Sequence, residues 1–257
     1  MDSRPIGMFD SGVGGLTVYK EVRKMFPGED IIYFGDTKSF PYGSKSKEAI
    51  ISLAEAGVRF LISHNVKLIV VACGTATSQA LDTLKEEFDI PIIGIIEPAA
   101  KFVAEDGKVK NVGVMATAGT IRSNCWKKTL LKLNPDLNVE NKACPMLAPM
   151  AEEGWTNNEI AKLAVHEYIK DFGKLDALIL GCTHYPLYTK ILKEELPDTK
   201  IVNPGEVLAQ SLKEILDSSK ERKGTTEIYL SDLECNFIGV AKKILNVDEL
   251  EAKKCDM

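Results

Sequence analysis

Histidine is scarce in this 257-residue chain, with three copies, and His64 and His166 fall inside helical patterns. That leaves too few ring nitrogens at loop positions for a three-histidine metal site. No Cys-x-x-Cys pair occurs among the six cysteines, at 73, 125, 144, 182, 235 and 255. Zinc ribbons and thioredoxin-type redox motifs are therefore not expected. No apolar run approaches the roughly eighteen residues that a membrane helix requires. The longest runs, such as residues 68–73, have the length of a strand. Met1-Asp2-Ser3-Arg4 opens the chain without an apolar signal region. There is no block of basic residues: 32 Lys and Arg stand against 37 Asp and Glu, for a net charge of −5. This balance argues against nucleic acid as the main partner and against a membrane partner. Small anions stay available as ligands, because helix N-termini bind them even in an acidic protein. The expectation is a cytoplasmic protein whose cysteines are free thiols.

What is present is an ordinary globular balance, 45% apolar and 27% charged. Short apolar runs at 6–9, 31–34, 68–72, 90–96, 112–115, 137–141, 177–180 and 200–202 alternate with helical patterns, clearest at 47–63, 76–88, 157–172 and 206–216. Such alternation predicts parallel sheets with right-handed crossovers. Residues 68–72 are apolar without interruption, as in strands covered by helices on both faces. A further strand at 227–230 and a helix after Asn236 must pack on one of the halves.

The chain also has an internal echo. Cys73 follows one apolar strand, and Cys182 follows another 109 residues later; each has a threonine within two positions. We read this as duplication of one α/β unit, with a boundary near Glu97-Pro98 and the second half ending near Asn203-Pro204. In open parallel sheets, ligands bind beyond the carboxyl ends of the strands. Here those ends read Asp10-Ser11-Gly12-Val13-Gly14-Gly15, Gly35-Asp36-Thr37, Cys73-Gly74-Thr75, Thr117-Ala118-Gly119-Thr120 and Cys182-Thr183-His184-Tyr185-Pro186. The glycine loop is only half a dinucleotide fingerprint, since Thr17 stands where the third glycine would be, and no phosphate-binding Gly-Lys-Ser/Thr loop exists.

A lone cysteine at a strand end is ordinarily a small buried hydrophobe. Two at matching positions suggest chemistry. Beside helix N-termini each thiol would have a lowered pKa. Facing one another across a ligand, one sulfur could remove a proton from a stereocentre while the other supplies one to the opposite face. Asp10, Asp36 and His184 lie at strand ends where they could assist. A Cys–His hydrolase dyad formed by Cys182 and His184 is the competing reading, and a turn histidine bonded to backbone is the plain one. Cys125, Cys144, Cys235 and Cys255 have no such context and read as structural.

At these residues the chain resembles the glutamate racemases, cofactor-independent amino-acid racemases of bacterial cell-wall synthesis. The resemblance rests on Phe9–Val18 of the first loop, Asp36-Thr37 with Pro41-Tyr42-Gly43, Ala72-Cys73-x-Thr75-Ala76, Thr117-x-x-Thr120-Ile121, Glu152-Glu153-Gly154 and Gly181-Cys182-Thr183-His184-Tyr185-Pro186, and it spans essentially the whole chain. It implies an α/β fold of two similar doubly wound parallel-sheet domains, residues 1–97 plus 204–257 and residues 98–203, with the active site in the cleft between them. It implies Cys73 and Cys182 as acid/base thiols, Asp10 supporting Cys73, His184 supporting Cys182, and Asp36 and Glu152 as further carboxylates, with Glu153 the competitor of Glu152. Ser11, Pro41, Tyr42, Gly43, Gly74, Thr75, Thr117, Thr120 and Thr183 would hold the substrate. No metal and no cofactor are implied; the partner is glutamate, and a homodimer is compatible with the reading.

One departure stands out. The family pattern is Cys-Asn-Thr, and this chain has Cys73-Gly74-Thr75. A lost hydrogen bond to the substrate's charged amino group would cost about 1.5–3 kcal/mol. Gly74 also suggests more room beside the thiol. Two alternatives follow: a racemase of aspartate or another small amino acid, and a weakly active or inactive amino-acid-binding homologue.

Overall fold

The computed structural model describes residues 2–216, 222–233 and 237–255. Ten strands and eleven α-helices lie along those residues, and every strand pairing is parallel. The first sheet is built from β1 (Ile6–Asp10), β2 (Ile31–Gly35), β3 (Leu68–Val71) and β4 (Ile92–Gly94), joined by β9 (Thr226–Leu230) and β10 (Lys253–Lys254). Its order is β10-β9-β2-β1-β3-β4. The second contains β5 (Asn111–Ala116), β6 (Asn138–Ala143), β7 (Ala177–Leu180) and β8 (Lys200–Val202), in the order β6-β5-β7-β8. Counted from its own first strand, each sheet therefore contains the order 2-1-3-4. The duplication read from the two cysteine loops has this topological counterpart: Cys73 and Cys182 each follow the third strand of their unit. In both sheets the order reverses between the first and third strands, and ligands bind outside the carboxyl ends at such a reversal.

Local sequence explains most elements. All five residues of β1 and β2 and all four of β3 and β7 are buried, because helices cover both faces. Helix α1 (Leu16–Met25) follows β1. Helix α2 (Lys47–Ser63) starts after Ser46, whose hydroxyl accepts the Ala49 N–H. Helix α3 spans Gly74–Glu87, so it begins two residues before the 76–88 expected, with Cys73 itself as N-cap. The 90–96 run divides in two. Only Ile92–Gly94 is strand, and Ile96 opens helix α4 (Ile96–Ala104), in which Ile96, Ala99, Ala100 and Val103 lie on one helical face and are buried. Helices α5 (Ala118–Ser123) and α6 (Cys125–Leu133) are separated by Asn124 in the left-handed conformation. Helices α7 (Leu147–Glu152), α8 (Glu159–Ile169) and α9 (Thr189–Glu195) complete the second unit. Asn158 caps α8 and Asn203 caps α10 (Pro204–Ser211), which moves both starts from the expected positions. Helix α11 (Phe237–Leu245) follows β9.

One apolar cluster runs continuously from the first sheet to the second. Met8 and Val70 reach Val114 and Ile179 through Val18 and Val22 of α1, Ile96 and Val103 of α4, and Leu208 of α10. Each such side chain contributes about 1.5–3 kcal/mol when fully buried, so this shared core ties the two sheets together. Behind β1, Lys67 and Glu29 form a 2.6 Å ion pair with side chains only 9% and 2% exposed. Lys67→Met strips the ammonium from a buried carboxylate, and we expect a loss of about 3 kcal/mol in urea unfolding.

Candidate active site

The carboxyl ends of both sheets converge on one cavity of about 270 Å³. That is small for a ligand site and suits an amino acid better than a nucleotide. Ser11, Pro41, Tyr42, Gly43, Cys73, Gly74 and Thr75 line it from the first unit, and Thr117, Cys182, Thr183 and His184 line it from the second. The two cysteines singled out by sequence thus border a single space, one from each sheet. Asp10, Asp36, Glu152 and Thr120 stand behind this lining.

Asp10 is fully buried beneath the first loop. Its carboxylate accepts the Gly12 N–H at 3.0 Å and the Thr183 hydroxyl at 3.3 Å. Burial raises its pKa to about 6, against the opposing pull of His184 and of the loop's N–H groups. Cys73 donates to Ser11 Oγ at 3.5 Å, and its sulfur accepts the Ala76 N–H at 3.4 Å. The lowered thiol pKa expected at a helix N-terminus is not found. Burial, with the Asp10 carboxylate second, pushes Cys73 up to about 12 and outweighs the N–H and hydroxyl contacts. At neutral pH Cys73 therefore carries its proton.

His184 is also buried, and both ring nitrogens are engaged. Nδ1 lies 3.8 Å from the Cys182 sulfur, and Nε2 lies 2.7 Å from Glu152 Oε1. Burial disfavours its charge, but the contacts with Cys182 and Glu152 prevail and raise it to about 10. The ring is an imidazolium at neutral pH, and Phe40 packs against it with ring centroids 5.6 Å apart. Between the adjacent carboxylates, it is Glu152 that reaches the histidine, while Glu153 is exposed. Just after it, Gly154 has φ +76°, its N–H returns to the Ala151 carbonyl, and the Trp155 N–H returns to Met150, so α7 closes at Glu152.

Asp36 does not reach the cavity. Its oxygens accept the hydroxyls of Tyr42 and Ser231, each at 2.7 Å. It anchors the Pro41-Tyr42-Gly43 segment to the strand end of β9. Thr120 is likewise buried, in a ring of hydroxyls with Thr75 and Thr117: Thr75 to Thr117 is 2.8 Å, Thr117 to Thr120 is 3.0 Å and Thr120 to Thr75 is 3.3 Å. The ring joins the two units. Of the remaining cysteines, Cys144 is buried and outside the cavity lining, with its thiol pushed up by burial and then by Cys182; Cys125 and Cys255 are half-buried, and Cys235 lies outside the described residues. Among the described residues no group of His, Cys, Asp and Glu is placed to hold a metal ion.

Two glycines permit the approach of the loops. A Cβ at Gly14 would lie 2.5 Å from His184 Nδ1 and from Thr183 Oγ1. Thr17, at the place of the missing third glycine, donates its hydroxyl to the Thr183 carbonyl at 2.8 Å. The glycine loop serves here to receive the second cysteine loop. Gly74 behaves in the same way: a Cβ there would run into the Gly181 carbonyl oxygen. The extra room expected beside Gly74 is therefore absent, because backbone of the opposite unit fills it, and the argument for a different small substrate loses its basis. Sequence reasoning passed over Phe40, Arg122, Pro145 and Pro149, which also line the cavity. Arg122 directly follows the Thr117–Ile121 segment; the prolines carry no chemical signal of their own.

Thiols from two sheets, each near an ionisable partner, can exchange protons with the two faces of one carbon. Hydroxyls around them can hold a carboxylate. Comparison with known proteins finds racemases. Residues 6–212 match the family model described as Asp/Glu/Hydantoin racemase. A glutamate racemase of Sulfurihydrogenibium sp. (strain YO3AOP1) is 43% identical over 256 residues, covering 98% of this chain and 97% of that protein. One from Geobacter metallireducens is 42% identical over 253 residues, covering 95% and 94%. The crystal structure of glutamate racemase from Francisella tularensis in complex with D-glutamate superimposes with a TM-score of 0.91 at 34% identity, covering 100% of this chain and 98% of that one. No helix among the described residues is long and apolar enough to cross a membrane. Gly74→Asn, which adopts the family residue, is expected to push the 73–75 and 181–183 segments apart. Its thermal midpoint and its turnover should both fall, by several degrees and at least tenfold.

Proposed function

The chain belongs to the Asp/Glu/hydantoin racemase family, and from that premise we propose that it interconverts L- and D-glutamate by two-cysteine acid/base catalysis without a cofactor. The observation that carries the mechanism is the single cavity bordered by Cys73 and Cys182 from topologically equivalent strand ends. In one direction a sulfur in its thiolate form takes the α-proton; the Cα–H bond breaks and its electron pair spreads into the substrate carboxylate. The other sulfur gives up its S–H proton to the opposite face of the planar carbon. The net result is inversion at carbon, with one proton moved from one sulfur to the other. The reverse direction exchanges the roles.

The surroundings supply what each step needs. The Ser11 hydroxyl, which accepts from Cys73, has its own proton to offer the carboxylate as negative charge builds on it, and Thr75, Thr117 and Thr183 can do so by leaving their present partners. Burial keeps water from competing, and it also opposes ionisation of Cys73. The ammonium group of an arriving amino acid brings positive charge that favours the thiolate. Asp10, ionised above about pH 6, adds a nearby proton acceptor, and the His184 imidazolium, held by Glu152, is a donor beside Cys182. Asp36 acts through Tyr42 as a positioning residue. We assign the product D-glutamate to peptidoglycan synthesis in the cytoplasm, where the thiols stay reduced.

The decisive experiment follows racemisation of D- and L-glutamate by circular dichroism with no cofactor added. The unmodified protein should reach an equal mixture from either side. Cys73→Ser and Cys182→Ser should each reduce kcat about 10²–10⁴-fold; full activity in either variant removes the mechanism. The pH profile of kcat/KM should fall on the acid side near 6, where Asp10 gains its proton, and on the alkaline side near 10, where His184 loses its own. Asp10→Asn should abolish the acid limb and leave the alkaline one.

A further inference from the structure

Strand β9 lies beyond residues 6–212, the part that matches the family model, yet its far end is tied to the loop after β2. The Ser231 N–H donates to the Gly35 carbonyl at 3.1 Å. The Ser231 hydroxyl donates to Asp36 Oδ1 at 2.7 Å and accepts the Lys38 N–H at 2.9 Å. Thr37 and Asp232 exchange two bonds: the Thr37 hydroxyl donates to the Asp232 carbonyl at 2.6 Å, and the Asp232 N–H donates to Thr37 Oγ1 at 3.0 Å. Asp36 passes this hold onward, because its other oxygen accepts the Tyr42 hydroxyl. Ser231, Asp36 and Tyr42 are 7%, 1% and 1% exposed, so water is a poor substitute for any of these partners. Phe40, Pro41, Tyr42, Gly43 and Ser44, which follow, line the cavity.

We propose that Ser231 is a positioning residue for the racemase site: through Asp36 and Tyr42 it keeps residues 40–44 in the arrangement that binds substrate. The inference rests on the racemase reading above and gives the C-terminal strand a part in that site. A carboxylate only accepts, so one donor per oxygen fixes its plane, and Tyr42 and Ser231 are those two donors here. A hydroxyl is also needed at 231 because it must donate to Asp36 while accepting from Lys38; alanine does neither. Without it, a buried carboxylate oxygen and an N–H group lose their partners, and the loop opens more often. Substrate binds only the closed arrangement, so apparent affinity falls by the fraction that remains closed. Saturating substrate restores that arrangement, so kcat is preserved.

The test compares Ser231→Ala, Ser231→Thr and Tyr229→Phe with the unmodified protein. Ser231→Ala should raise KM for both glutamate enantiomers about three- to tenfold, with kcat changed by about twofold or less. Ser231→Thr keeps the hydroxyl, and its methyl group has space in the adjoining cavity of about 380 Å³; it should restore KM. Tyr229→Phe removes a bond to Glu227 from the same strand and should leave KM unchanged. Combined with Tyr42→Phe, which cuts the other end of the link, Ser231→Ala should add less than its separate effect on KM. Hydrogen exchange reads the same claim without turnover: amides of residues 37–43 should exchange about tenfold faster in Ser231→Ala, with those of β3 unchanged. Unchanged KM and exchange in Ser231→Ala, no recovery in Ser231→Thr, or an equal rise of KM in Tyr229→Phe overturns the proposal. An unmodified protein that fails to racemise glutamate overturns the function proposed above instead, and the exchange measurement then decides the anchoring role by itself.

Discussion

Everything at this site depends on the close seating of one cysteine loop upon the other unit's strand ends. The segment from Gly181 to His184 belongs to the second unit, yet several of its contacts are with the first. Thr17 donates to the Thr183 carbonyl, Thr183 donates to Asp10, and the His184 ring rests where a side chain at Gly14 would have to be. The Gly181 carbonyl occupies the place of a side chain at Gly74. Protein interiors tolerate almost no overlap, so the loops as they are seated here leave no room for a side chain at either position.

That seating also sets the electrostatics. Bringing Asp10, Cys73, Cys182, His184 and Glu152 together out of water makes each charge dependent on the others. Burial alone would neutralise both the carboxyl of Asp10 and the ring of His184. Loop N–H groups and the histidine limit the rise at Asp10, while Glu152 and Cys182 hold the proton on His184. Cys73 has no comparable cation and keeps its proton. The two sulfurs are thus similar in topology and different in surroundings, a difference that suits a reaction in which one donates while the other accepts.

Much of this was legible in the chain. Unbroken apolar runs such as residues 68–72 identify covered parallel strands, and small polar residues after each run identify the ends where ligands bind. The repeat of strand, cysteine and threonine points to both thiols because it needs only neighbours in sequence. Helix starts were less legible at Cys73, Asn158 and Asn203, where a capping side chain, not the apolar pattern, decides the first turn. Of the run at 90–96 only Ile92–Gly94 is strand and Ile96 already begins a helix, because short apolar stretches fit either period until a partner is known.

The sequence by itself determined the parallel α/β class, the duplicated unit, the pair of cysteine loops and the bulk of the residues around the cavity, since these follow from patterns a few residues long. Only the tertiary structure decided where the carboxylates point: Asp36 turns to Tyr42 and Ser231, while Glu152 rather than Glu153 meets the histidine. Only it removed the supposed space at Gly74, reversed the expected acidity of Cys73 and brought Arg122 to the cavity. Each of those outcomes depends on groups far apart in the chain, through steric exclusion, desolvation and charge, and such quantities exist only once the two sheets have met.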